Sequence, residues 1–254
     1  MNLIKRERKL KMNKIMGEGS YPGRVVGVGR TNSGKPLAVY AVTGRSEMSK
    51  LRKAVIVGNS VQITPLGELT PEQEANKDLI IYRAFSINIA NQALVVSNGK
   101  QTDPIFHLIC HYGLSLYDAL YATMYTMGSE PDKYKTPRLA GLVLPRPSVR
   151  RLLSMVVADE TQPEGKRADV AMLDAGEAGK VEFICTYTGD LENPKAPELK
   201  WQKDWIYSAK IESDSASEIA QELYDSLDEK VRVATVSAVL EHDGWMIDVC
   251  NLYA

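Results

Sequence analysis

The feature that most constrains this chain is a series of β-strands that follow one another across tight turns. In residues 21–44, Arg24-Val-Val-Gly-Val-Gly-Arg30 reads as one strand and Pro36-Leu-Ala-Val-Tyr-Ala-Val-Thr43 as the next. The turn cluster Thr31-Asn-Ser-Gly34 separates them. Residues 54–64 repeat the pattern around Gly58-Asn59, and residues 79–97 repeat it around Ala90-Asn-Gln92. Strands joined so closely pair antiparallel, because a parallel pair needs a crossover of roughly a dozen residues. Consecutive hairpins therefore argue against a doubly wound parallel sheet.

Helical signals come later. Asp103-Pro104 offers a cap and a first-turn proline for a helix reaching Tyr112. Ser115 caps a second helix over 116–127, which Gly128 ends. Residues 139–144 return to strand character, whereas 145–167, with Pro145, Pro147 and Pro163, read as irregular. Strands are predicted over 170–173, 181–187 and 205–211, with a Pro- and charge-rich surface loop at 190–203. Residues 215–227 form an amphipathic helix with Ile219, Leu223 and Leu227 on one face and Ser215 as cap. A closing hairpin spans 231–249 around His242-Asp-Gly244. This order predicts an α+β fold: two mainly antiparallel sheets packed together and covered by helices. Residues 21–254 read as a single domain behind a flexible basic arm, residues 1–20, in which Met12 and Met16 are alternative starts.

Charge and cysteine usage narrow the partners. With 31 basic and 32 acidic residues the net charge is -1, which argues against a general nucleic-acid binder but leaves room for one basic phosphate pocket. Cys110, Cys185 and Cys250 are odd in number and far apart, as in a reduced cytoplasmic protein. No apolar run approaches the roughly 20 residues that cross a bilayer, so no membrane partner is expected. His107 and His111 share a helix face, but zinc needs at least one more ligand. Histidines on a partly buried helix are the favoured reading, and no metal is expected. Gly27-Val-Gly29 has no correctly placed third glycine and precedes a turn, so it fails as a dinucleotide loop. No P-loop and no G-x-S-x-G elbow occurs.

Three segments carry a positive signal. They are residues 21–46, Tyr82 followed by Val95-Val-Ser-Asn-Gly-Lys-Gln-Thr-Asp103, and Glu130 followed by Lys135-Thr-Pro-Arg-Leu-Ala-Gly141. Across 21–141 the chain resembles the archaeal-type inosine monophosphate (IMP) cyclohydrolases. The Val-Val-Ser-Asn-Gly-x-x-Thr-Asp and Thr-Pro-Arg strings are the most specific part. The resemblance implies a fold related to the N-terminal-nucleophile hydrolases, a four-layer αββα sandwich. It also implies ring closure of formamidoimidazole carboxamide ribonucleotide (FAICAR) to IMP and water, with no cofactor or metal, in a homo-oligomer. Tyr82 matches an active-site tyrosine that hydrogen-bonds the formyl oxygen or relays a proton, and Glu130 an acidic residue that accepts the carboxamide proton. Arg45, Lys50 and Arg52 occupy the segment where the family has a functional arginine. Lys50 stands at the equivalent spacing from Arg45, and Arg52 fits with a two-residue insertion. Arg30, Asn32, Asn98, Thr102, Asp103 and Arg138 suit a substrate-binding rim, although Asn98-Gly99 also reads as turn chemistry and Asp103 as a helix cap.

Two other classes stay open on the residues. An N-terminal-nucleophile amide hydrolase would need Ser20 exposed by cleavage, but Tyr21-Pro22 then intervenes before the strand. A non-catalytic nucleotide-binding relative would keep the phosphate site and lose the proton-transfer groups, yet Tyr82 and Glu130 are both present.

Overall fold

The computed structural model describes residues 21–75, 77–200 and 203–253; the expected basic arm, residues 1–20 with Ser20, lies outside them. The first half runs β1 (Arg24–Arg30), β2 (Pro36–Thr43), α1 (Glu47–Lys50), β3 (Arg52–Val57), β4 (Ser60–Pro65), α2 (Pro71–Ala75), β5 (Tyr82–Ile87) and β6 (Leu94–Ser97). Helices α3 (Thr102–Cys110) and α4 (Leu116–Met127) follow. The rest is β7 (Arg138–Leu144), β8 (Arg150–Ala158), β9 (Lys166–Leu173), β10 (Lys180–Cys185), β11 (Tyr207–Lys210), α5 (Ala216–Ser226), β12 (Arg232–Glu241) and β13 (Gly244–Asn251).

These strands make a six-stranded sheet, ordered β11-β10-β1-β2-β12-β13, and a seven-stranded sheet, ordered β3-β4-β5-β6-β7-β8-β9. The strand pairs are antiparallel throughout. The near-continuous apolar strands have a simple cause: both faces are buried. Successive side chains point to opposite faces. Thus Val26, Val28, Ala38, Tyr40 and Val42 enter the core between the sheets, and so do Leu94, Val96 and Leu139. Val25, Leu37, Val39 and Ala41 turn outward and pack on Ile219, Leu223 and Leu227 of α5 and its C-cap. On the far side Val95, Leu142 and Val156 pack on Ile105 of α3 and Leu120 and Met124 of α4. Fully burying side chains of this size contributes roughly 1.5–3 kcal/mol each. The layers run helix, sheet, sheet, helices, the α+β sandwich expected from the order of strands and helices.

Two readings need correction. The segment 145–167 is not irregular, because β8 runs through it and β9 begins at its end. Pro145, Pro147 and Pro163 all fall outside those strands, while Leu152, Leu153, Met155 and Val156 between them are buried. Asp103 does not cap α3 either: Gln101 holds the N-cap position without a side-chain cap bond. Asp103 sits in the first turn, where a carboxylate suits the helix dipole, and pairs with Arg83 at 2.6 Å. Gly29 has a packing role. A Cβ there would meet the Lys180 carbonyl oxygen at 2.3 Å, so the glycine lets β10 close on β1.

Antiparallel order brings alternate strand starts and strand ends together. The starts of β1, β3, β5 and β7 meet the ends of β2, β6 and β10 at one edge of the sandwich. There Arg24, Arg52, Tyr82 and Arg138 open strands, while Thr43 and Ser97 close them, with Thr186 just past the end of β10.

Candidate active site

At this edge lies a cavity of about 610 Å³, lined by Tyr21, Arg24, Thr43, Arg45, Ser46, Ser49, Arg52, Leu79, Ile80, Tyr82, Asn98, Glu130, Asp132, Lys133, Tyr134, Thr136, Thr186 and Tyr187. Its volume is in the range of small-molecule sites, roughly 300–1,000 Å³.

The floor is built on three arginines, a carboxyl and phenols. Glu130 is held by its backbone N–H, which donates to the Thr136 carbonyl at 2.8 Å. Its carboxyl lies 3.8 Å from Arg138. Burial pushes the Glu130 carboxyl up to about 7, and the charges of Arg138, Arg24 and Arg52 keep it from rising further. Arg138 donates to Gln101 Oε1 at 3.1 Å. The Tyr82 hydroxyl lies 2.7 Å from that of Tyr40, which is fully buried on β2 of the opposite sheet. Burial first, and Tyr82 second, drive the Tyr40 hydroxyl well above the usual phenol range. Arg24 donates to the Thr43 carbonyl at 2.7 Å. Burial works against its charge, but Tyr82, Tyr40 and Tyr21 around it more than offset that, and it stays cationic. Arg52 is pulled down by burial and by the neighbouring Arg24 charge, and its buried Nη1 has no partner. Neither Arg24 nor Arg52 forms an ion pair among the described residues, so the floor carries uncompensated positive charge toward the cavity.

The rim is aromatic and basic. The Arg45 guanidinium lies 4.7 Å from the Tyr134 ring centroid and 5.6 Å from that of Tyr21, and Lys133 Nζ is 4.9 Å from Tyr134. Tyr21 stacks on Tyr187 at 5.9 Å. The Tyr187 hydroxyl meets Thr136 Oγ1 at 2.7 Å, and Thr136 in turn donates to Asp132 at 2.6 Å. The loop bearing Glu130 is thereby fastened to the end of β10.

Of the residues singled out in the sequence, Tyr82, Glu130, Arg45, Arg52 and Asn98 line this cavity, and Arg138 stands behind Glu130. Asn98 is tied into structure: its Oδ1 accepts from the Leu139 N–H and Gln101, both at 2.7 Å, and its amide donates to the Pro137 carbonyl at 2.9 Å. These bonds join the Ser-Asn-Gly string to the Thr-Pro-Arg string. Thr102 is buried and donates to the Arg83 carbonyl at 2.6 Å. Lys50 pairs with Glu47 at 3.0 Å outside the cavity lining. Arg30 and Asn32 stand at the far end of β1, where Arg30 bonds the Ala175 and Gly34 carbonyls. Arg30 is six steps along the strand from Arg24, about 20 Å of extended chain. The sequence reading missed Arg24, Tyr40, Tyr187 and the Lys133-Tyr134 pair. Arg24 and Tyr40 lay inside stretches read simply as strand. Tyr187 lay in a half with no motif. Among the described residues no group of three or more His, Cys, Asp or Glu is arranged to hold a metal ion.

Residues 21–244 match the family described as IMP cyclohydrolase-like protein. The chain belongs to this family. Among curated relatives named IMP cyclohydrolase, that of Methanothrix thermoacetophila is 32% identical over 232 residues, covering 91% of this chain and 98% of the relative. That of Methanocaldococcus jannaschii is 37% identical over 125 residues, which is 48% of this chain and 56% of the relative. A third, from Methanococcus maripaludis, is 32% identical over 167 residues, covering 66% and 74%. Family membership extends well past residue 141, so β10 with Tyr187 and α5 belong to the shared fold. No helix among the described residues is long and apolar enough to cross a membrane.

Proposed function

We propose that the chain is an IMP cyclohydrolase, closing the six-membered ring of FAICAR to give IMP and water in the cytoplasm, as a homo-oligomer. One observation carries this reading. A buried carboxyl poised near neutral pH, Glu130, faces the same cavity as a phenol and as arginines that have no carboxylate partner.

The reaction needs those groups. The carboxamide nitrogen is a poor nucleophile, so it must be held against the formyl carbon while a base removes a proton. Glu130 is that base when ionised. The formyl oxygen gathers negative charge as the C–N bond forms, and the donors that face it are Tyr82, Arg24 and Arg52. The phosphate dianion reaches toward Arg45 and Lys133 at the rim, where a planar guanidinium and an ammonium are both available. Asn98 and Arg138 hold the floor in place rather than the substrate.

The test is a spectrophotometric cyclisation assay on purified protein without added metal. Turnover is expected, with Tyr82→Phe and Glu130→Gln each slower by roughly 100-fold or more. No turnover, together with no calorimetric binding of IMP, would overturn the reading. Tight IMP binding without turnover would instead make the chain a nucleotide-binding relative.

A further inference from the structure

The Tyr40–Tyr82 pair carries an inference that rests on the proposed reaction and goes beyond it. The two hydroxyls meet at 2.7 Å across the sandwich, one from each sheet, and either could donate. The direction follows from what else each hydroxyl can reach. Tyr40 is 0% exposed and does not line the cavity, and Tyr82 is its hydroxyl's hydrogen-bond partner among the described residues. If Tyr82 donated to Tyr40, the Tyr40 proton would be buried without an acceptor, which costs about 1–3 kcal/mol. If Tyr40 donates, nothing is left unpaired, because Tyr82 borders the open cavity. The cationic Arg24 guanidinium, which can only donate, also faces the Tyr82 oxygen.

We propose that Tyr40 is a positioning residue that fixes Tyr82 as an acid. Its hydroxyl donates to the Tyr82 oxygen, so the Tyr82 proton must point into the cavity at the formyl oxygen.

The step balances. The carboxamide nitrogen forms its bond to the formyl carbon and loses one proton to Glu130. The formyl oxygen takes the Tyr82 proton and becomes a hydroxyl, leaving a phenolate held by Tyr40 and Arg24. The carbon–oxygen bond then breaks. The departing hydroxyl takes the proton from Glu130 and leaves as water, while the ring nitrogen that was the formamido N–H returns its proton to Tyr82. Glu130 ends as carboxylate and Tyr82 as phenol, and one water has formed. Without Tyr40, the Tyr82 oxygen loses the donor that turns its proton toward the cavity, and the phenolate loses one of its two donors.

The test is a double-mutant cycle in the full chain with FAICAR as substrate. Tyr40→Phe keeps the ring and is expected to melt within a few degrees of wild type. Its kcat should fall about tenfold while KM stays within about twofold, since Tyr40 does not touch substrate. In a Tyr82→Phe background the same change should alter kcat by less than about twofold. Equal losses in both backgrounds, or a Tyr40→Phe enzyme with wild-type kcat, would overturn the proposal. A second readout does not need turnover: in protein carrying ring-labelled tyrosine, the Tyr82 Cζ carbon resonance, identified by its loss in Tyr82→Phe, should move in Tyr40→Phe and stay put in Tyr207→Phe. An unmoved signal would overturn the proposal even in an active enzyme. A moved signal in a protein inactive toward FAICAR would keep the hydrogen bond and remove the function.

Discussion

Glu130 is the residue on which the proposed chemistry turns, and its burial has a measurable cost. The carboxyl sits at about 7 in the folded protein, above the usual carboxylate range, because burial disfavours its charge. The folded state therefore binds more protons than the unfolded chain between those values, and stability falls as pH rises through that window. The displacement corresponds to about 3 kcal/mol, fully lost above the folded value. Glu130→Gln should remove this dependence, so urea titrations should find the variant more stable than wild type above neutrality and similar to it near pH ~4. At the same scale, the uncompensated Arg24 and the distant Arg30 should behave differently. Arg24→Met is expected to lower kcat/KM by roughly 100-fold, and Arg30→Ala to leave it within about twofold, in steady-state assays on FAICAR. Tyr82, Glu130 and Arg45 were legible in the sequence because they stand in family strings. Arg24 was not, because a charged residue opening a strand reads like any strand terminus until β10 and β2 are seen to bring Thr186 and Thr43 beside it.

At the scale of elements, hairpin turns were readable because Gly58-Asn59 and the Thr31–Gly34 cluster interrupt β-branched runs. Strand β8 was hidden because three prolines frame it, and prolines just outside a strand weigh as heavily in a linear reading as prolines inside one. Helix α4 was fully legible, since Ser115 accepts from the Asp118 N–H at 3.1 Å and Gly128 takes the positive φ that ends it. Two close approaches give further predictions. Gly29→Ala would push a Cβ to 2.3 Å from a backbone oxygen of β10, which cannot move aside as a side chain can. It should cost about 3 kcal/mol in urea denaturation. Gly99 is different: a Cβ there would lie 3.1 Å from Glu130 Oε1 and 2.7 Å from Gln101 Oε1, both flexible ends. Gly99→Ala should fold with nearly wild-type melting temperature yet lose roughly tenfold to 100-fold in kcat/KM, because the Glu130 carboxyl is displaced.

In the whole molecule, the central strands of the two sheets are buried on both faces, and period-two alternation sorts their side chains between the central core and a helix-covered one. That alternation was invisible as alternation in the sequence, since both faces are apolar, but the turn spacing still gave the antiparallel pairing. The candidate site, placed from motifs in the first half alone, needs the second half as well: past the end of β10, Tyr187 braces the loop that holds Glu130, and Thr186 accepts from the Arg24 N–H. The most direct measurement of the central claim is the pH dependence of kcat/KM for FAICAR cyclisation in wild type and Glu130→Gln. Wild-type kcat/KM should rise with pH through a midpoint of about 7, as the Glu130 carboxyl becomes a base, and the variant should be slow with no such rise. An unchanged profile in Glu130→Gln would contradict the account.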